Sequence, residues 1–234
     1  MVEHVYARAA AAAGVDAVVV ATDDVRIAQT VERFGGLVRM TRPTHRTGQD
    51  RIAEVAADLN CDIVVNVQGD EPLMDPRMIA EVVGPLDSDA TVLMSTLRRQ
   101  ISDATESHNP NVVKVVVDLE GHALYFSRAP VPFGRDASRP LFKHIGLYAY
   151  RLAFLRALAS LPQTPLEITE SLEQLRALEH GFRIRTVETH YDSTGVDTPA
   201  DLDRVRQQIQ NAAHSCAAAA PAGGRHVRQH DAGT

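Results

Sequence analysis

The chain is short of cysteine, short of net positive charge and without a long apolar run, and each shortage removes a class of function. Two cysteines occur in 234 residues. Cys61 opens an apolar run and Cys216 lies near the carboxyl end, so a secreted scaffold stapled by disulfides is excluded and Cys61 reads as core. A formal net charge of -6 argues against a nucleic-acid binder working through a basic face. No apolar stretch approaches the roughly 20 residues that span a bilayer. The start Met1-Val2-Glu3-His4-Val5 lacks a basic segment followed by an apolar one. The expectation is a cytoplasmic protein with neither membrane nor nucleic acid as partner.

What is present is a hydrophobic fraction of 44% and a charged fraction of 23%, enough for a domain with a substantial core. The first 60 residues alternate between helical and β-branched segments. A helix runs up to Gly14, a strand covers Asp16 to Asp23, a helix covers Val25 to Phe34, a strand covers Leu37 to Met40, and Asp50 to Ala56 is amphipathic. Ile63 to Val67 is apolar on successive residues, as in a strand covered on both faces, and Pro76 to Val83 returns to helical spacing. This rhythm predicts a parallel-type α/β layer structure. After Asp89 the strand-like runs Thr91–Leu97, Val112–Asp118, Ala123–Ser127 and His144–Tyr150 crowd together, which predicts a mixed sheet with a hairpin at Asp118–Gly121. Helices return at Ala153–Leu161 and Ser171–His180. Residues 1–210 read as one domain, and 211–234, rich in alanine, glycine and histidine, as a disordered tail.

Two acidic positions stand out. Asp70 follows the apolar run ending at Val67, where open α/β sheets present ligand-binding groups. Asp197, in Thr194-Gly195-Val196-Asp197-Thr198-Pro199, follows the strand-like Ile184–Val187 and precedes a helical segment. Two such carboxylates suit a hard divalent cation, which takes oxygen ligands and keeps places for phosphates. Each alone is equally an aspartate in a turn or a helix cap.

Several segments, in order and at matching spacing, resemble one family. They are Val64-Val65-Asn66-Val67-Gln68-Gly69-Asp70-Glu71-Pro72, Asn109-Pro110-Asn111-Val112-Val113-Lys114-Val115, Tyr125-Phe126-Ser127-Arg128, His144-Ile145-Gly146-Leu147-Tyr148-Ala149-Tyr150, Glu173-Gln174-Leu175-Arg176 and Thr194-Gly195-Val196-Asp197-Thr198-Pro199. Together they resemble the 3-deoxy-manno-octulosonate cytidylyltransferases, or CMP-Kdo synthetases, from Met1 to about Gln210.

The resemblance implies a nucleotidyltransferase-type three-layer α/β sandwich with a mixed, mainly parallel central sheet. It implies transfer of CMP from CTP to 3-deoxy-manno-octulosonate (Kdo), with pyrophosphate as co-product, magnesium as cofactor, a role in lipopolysaccharide biosynthesis and a homodimer meeting between Pro130 and Tyr150. By carry-over, Asp70 and Asp197 are the metal ligands and catalytic groups. Arg51, Gln68 and Gly69 face the nucleotide; Arg128, His144, Tyr148, Glu173 and Gln174 face the sugar acid. Arg51 also reads as a helix-start charge beside Asp50. One family feature is missing: the first strand and its arginine- and lysine-bearing phosphate loop. No other glycine-rich segment replaces that loop, since Gly35-Gly36 closes a helix and Gly223-Gly224 lies in the tail. Two unpaired strand edges and a chain inactive as written are the resulting expectations. The alternatives are a non-catalytic truncated fragment and a cytidylyltransferase for another sugar acid.

Overall fold

The computed structural model describes residues 1–135, 140–193, 195–196 and 198–218, with side chains to residue 211. Good helix formers open the chain as α1 (Val2–Ala10), and Gly14, at a φ of 79°, turns the backbone toward the next strand. β1 (Val19–Thr22) leads into α2 (Val25–Arg33), capped by the Asp24 carboxylate, which accepts from the Arg26 N–H at 2.8 Å. β2 (Leu37–Met40) pairs parallel with β1. The Thr47 hydroxyl caps α3 (Gly48–Ala56) by accepting from the Asp50 N–H at 3.1 Å. Then come β3 (Ile63–Asn66), α4 (Arg77–Ser88), β4 (Met94–Gln100), α5 (Ala104–His108), β5 (Lys114–Val117), β6 (Ala123–Ser127) and β7 (Phe142–Arg151). They are followed by α6 (Leu152–Ser160), α7 (Pro165–Glu170), α8 (Leu175–Glu179) and β8 (Arg185–Glu188).

All of these belong to one unit, Met1–Gly195. A second begins at Val196, inside the span 1–210 that the sequence presents as one domain, and holds α9 (Pro199–Ala218). That helix carries the backbone through 211–218, where a disordered tail is expected from sequence. Its alanines, strong helix formers, account for the difference; residues 219–234 lie outside the described residues. Among the described residues no helix is long and apolar enough to cross a membrane.

The larger sheet runs β6-β5-β7-β4-β8, with β3 also on β7. It is mixed, as expected, but not mainly parallel: β4–β8 is parallel, whereas β3–β7, β4–β7, β5–β6 and β5–β7 are antiparallel. The cause is β7, whose ten residues give one edge to β4 and divide the other, Phe142 and Lys143 facing β5 and Tyr148 to Arg151 facing β3. Among the described residues β1 pairs only with β2 and β3 only with β7, so each keeps an edge without a strand partner.

Alternation along β7 sends successive side chains to opposite faces. Tyr148 and Tyr150 join Ala53, Ala56, Phe154, Leu155, Leu158 and Leu175, from α3, α6 and α8, in one core. Ile145, Leu147 and Ala149 join Ala9, Met78, Ile79, Val82 and Leu86, from α1 and α4, in the other. Helices on both faces of a sheet make the three layers expected for this class. Within the span Ser171–His180 expected to be helical, the helix is the shorter α8, and a separate helix, α7, precedes it. Pro165 starts α7 early, and Ser171, at φ 52°, breaks it before α8.

Candidate active site

The site is organised by an irregularity in β7. In its pairing with β4, Thr96 faces Tyr148 while Leu97 faces Ile145, so Gly146 and Leu147 bulge. Bulges re-aim side chains beside functional sites. The Thr96 hydroxyl donates to the Leu147 carbonyl at 2.8 Å, so its oxygen is left to accept from His144 Nε2 at 2.9 Å. That bond assigns the neutral Nε2–H tautomer and leaves Nδ1 as an acceptor. Burial pushes the His144 imidazole down to about 3, so it stays neutral at physiological pH. Its ring meets Phe126 edge-on and lies 5.3 Å from the Tyr148 ring. Tyr148 is buried, and burial with the nearby Glu173 carboxylate raises its phenol well above the usual range.

The turn after β3 reaches the same bulge. A Cβ built on Gly146 would lie 3.7 Å from the Gln68 side chain and 3.8 Å from Glu71 Oε1. The half-buried Asp70 lies between Gln68 and Glu71 in the chain. Glu71 accepts from the Ser193 hydroxyl at 2.8 Å, and burial, with Asp70 and Asp192 nearby, pushes its carboxyl up to about 7. This crowding of hard oxygen donors fits a divalent cation, whose charge would relieve it. Gly69 has no positive φ, and a Cβ there would meet nothing within 4 Å. Neither backbone strain nor protein packing therefore demands glycine at that position. Asp197, the other expected metal ligand, lies outside the described residues.

Glu173 sits at the amino end of α3, where its Oε2 accepts from the Gln49 N–H at 3.0 Å. Burial and the nearby Asp50 raise its carboxyl, against the pull of that N–H. Gln174 and Gln49 are 2% and 0% exposed, and the side-chain amide nitrogen of each lacks a hydrogen-bond partner among the described residues. Buried orphan donors cost about 1–3 kcal/mol each, so their presence beside Glu173 fits a ligand rich in hydroxyls. Arg128 is on the same side, but its Nε, Nη1 and Nη2 donate to the carbonyls of Glu170, Pro110 and Ser171. Arg51, on α3, faces the carboxyl ends of β1 and β2, with Nη1 2.5 Å from Thr41 Oγ1 and 3.1 Å from Asp23 Oδ1.

Sequence reasoning passes over three contributors. Gln49 lies in the loop His45–Arg51, which resembles the family's nucleotide-side loop, but is given no role there, and Ser193 carries no signal in its immediate surroundings. Arg176 is quoted with its motif but given no role, yet it donates through Nε and Nη2 to Glu167 and through Nη1 to Asp50, linking α8, α7 and α3. Among the described residues, Asp118, Glu120 and His122 also gather ligand atoms. Arg183 Nη2 lies within 3.0 Å of an atom of each, so a cation already holds that cluster.

A cytidylyltransferase family model matches residues 1–185. The 3-deoxy-manno-octulosonate cytidylyltransferase of Geobacter metallireducens is 54% identical over 221 residues, spanning 89% of this chain and 87% of that protein. The chain belongs to the 3-deoxy-manno-octulosonate cytidylyltransferases. Another member of that family, from Solibacter usitatus, is 55% identical over 207 residues, covering 88% of this chain and 82% of its own length. A solved CMP:2-keto-3-deoxy-manno-octonic acid synthetase complexed with CTP aligns with a TM-score of 0.85 at 44% identity, over 90% of this chain and 88% of that one. The fold extends beyond the family. A 4-diphosphocytidyl-2C-methyl-D-erythritol synthase from Anaerococcus prevotii aligns at a TM-score of 0.57 with 14% identity, over 89% of this chain and 88% of its own.

Proposed function

We propose that this nucleotidyltransferase joins CTP and Kdo to give CMP-Kdo and pyrophosphate. The observation that carries the reading is 54% identity to a named Kdo cytidylyltransferase across 89% of the chain. The reaction forms a bond from the anomeric oxygen of Kdo to the α-phosphorus of CTP. The bond from that phosphorus to the oxygen bridging to the β-phosphate breaks, pyrophosphate leaves with the electron pair, and the proton of the anomeric hydroxyl passes to solvent. Little covalent chemistry is left to the protein, whose work is positioning and charge stabilisation.

We assign the sugar side to His144, Tyr148, Glu173 and Gln174, with Arg128 behind them. His144 Nδ1 and the Glu173 carboxylate accept from hydroxyls, while the Gln174 amide and the Tyr148 phenol donate. Arg51, Gln68 and Gly69 take the nucleotide side, Gly69 by letting phosphate approach the backbone. Asp70 and Asp197 are assigned to a magnesium ion. Magnesium, when bound, neutralises triphosphate charge and lowers the pKa of the attacking hydroxyl. A homodimer through Pro130–Tyr150 belongs to the same reading, and Phe133, 87% exposed, is the apolar side chain that stretch offers to it. Free Cys61 fits a reducing, cytoplasmic setting.

The test is pyrophosphate release by the purified chain with CTP, magnesium and either Kdo or a sialic acid. Kdo-dependent release, abolished by Asp70→Asn and weak with the sialic acid, is expected in place of the inactivity that the sequence alone suggests, because the relatives matched over about nine-tenths of the chain are Kdo cytidylyltransferases. Equal rates with the two sugar acids, or full activity in Asp70→Asn, would refute the substrate or the metal assignment respectively. Sedimentation of the same sample at monomer mass would remove the dimer.

A further inference from the structure

The polar groups behind the sugar-side wall form a continuous chain of bonds ending at a strained residue. Lys114 is fully buried, and its Nζ donates to the carbonyls of Asn109 at 2.9 Å, Val112 at 2.6 Å and Arg128 at 2.6 Å. All three ammonium hydrogens are thereby used. One Glu170 carboxylate oxygen accepts from the Ser127 hydroxyl at 2.7 Å, and the other from the Arg128 N–H at 2.9 Å. The Arg128 guanidinium returns the contact, with Nε 2.8 Å from the Glu170 carbonyl, Nη1 3.0 Å from the Pro110 carbonyl and Nη2 3.4 Å from the Ser171 carbonyl.

Ser171 is the one described non-glycine residue with positive φ, at φ 52° and ψ 49°. A side chain raises the energy of that left-handed conformation, so it persists only where the surroundings hold it. The turn it makes reverses the chain from α7 into Leu172-Glu173-Gln174, which carries Glu173 to the amino end of α3.

We propose that Lys114, Arg128 and Glu170 form a strut that holds the left-handed Ser171 turn and so positions Glu173 and Gln174, making Arg128 a positioning residue. The kinetic consequence rests on the assignment of Glu173 and Gln174 to the sugar; the strut itself does not. A guanidinium whose three nitrogens each face a backbone carbonyl has a fixed place in the fold before any substrate arrives. Lys114, fully enclosed, acts on the sugar side only through what it holds.

The test is a cycle of Arg128→Ala, Ser171→Gly and the double variant, with Lys114→Met as an independent break in the strut. Glycine reaches this conformation without the penalty a side chain brings. Arg128→Ala and Lys114→Met should raise KM for Kdo about tenfold, the scale set by one left-handed non-glycine residue. KM for CTP should move less than about twofold, and adding Ser171→Gly should recover most of the Kdo loss. Amide exchange at residues 171–176 is the readout independent of catalysis: faster in Arg128→Ala and Lys114→Met, slowed again by Ser171→Gly. An Arg128→Ala defect that Ser171→Gly leaves untouched, with unchanged amide exchange, would make Arg128 a direct sugar ligand and overturn the strut. If either variant fails to fold, Arg128→Lys, which keeps the charge but cannot span three carbonyls, replaces it with the same expectations. Absence of Kdo-dependent turnover in the unsubstituted chain would count against the proposed function, and exchange would still decide the strut.

Discussion

The wall around Glu173 and the rim around Arg51 use the same ionic side chains and differ in how much water reaches them. In the wall, Arg176 and Glu167 are 1% and 3% exposed, and their bond is a two-pronged fork. At the rim, Arg51 meets Asp23 with side chains 20% and 36% exposed, Arg42 meets Glu54, and the Arg26–Asp24 pair is more open still. Water and salt screen the second set and barely reach the first. The wall is therefore rigid before substrate binds. The rim, flanked by a β1 edge without a strand partner among the described residues, has the looser construction.

The sharpest way to break this contrast is Arg176→Met. It leaves the enclosed Glu167 carboxylate without its cation and takes the part-exposed Asp50's partner away as well, and removing one member of a buried pair costs about 3–5 kcal/mol. Denaturant unfolding should show a loss of that size, and KM for Kdo should rise because α8 and α3 are no longer tied. A loss below about 1 kcal/mol would mean that the wall is no better built than the rim.

Acid gives a second break. His144 is held neutral in the fold down to about pH 3, whereas in the unfolded chain an imidazole takes its proton near pH 6.5. Between those values the unfolded state binds more protons, so stability rises with pH. The contribution is fully present above about pH 6.5 and is lost as pH falls through the window to about 3. Unfolding midpoints across that range should follow this sign, and His144→Gln should flatten the slope. An unchanged slope in the variant would detach His144 from the buried wall.

How much of this is legible in the sequence follows the same division. Local signals do well: β2 is Leu37–Met40 as its pattern predicts, and the hairpin turns at Gly121 with φ 83°. The bulge in β7 is invisible, because Gly146 alone does not say which strand will oppose it. The break at Ser171 is equally hidden, since serine carries no left-handed signature; the Ser171 and Leu172 N–H groups close α7 on the Glu167 carbonyl, and Arg128, 43 residues away, adds a bond to the Ser171 carbonyl. At the site, residue types are readable and partners are not. Arginine at 128 suggests a carboxylate clamp until its three carbonyl acceptors are counted. Glu173 is given to the sugar acid by resemblance, while the Gln49 N–H that holds its carboxylate is visible only in the fold.

The smallest expected effect lies at the rim. Arg51→Ala removes a partly exposed pair with Asp23 and a bond to Thr41, so unfolding free energy should fall by no more than about 1 kcal/mol. That loss should shrink in high salt, because the Debye length contracts to about 3 Å at 1 M. If Arg51 faces phosphate as proposed, KM for CTP rises far more than stability falls, while KM for Kdo stays level. A stability loss matching that of Arg176→Met would place Arg51 in a closed, preorganised environment and erase the distinction between rim and wall.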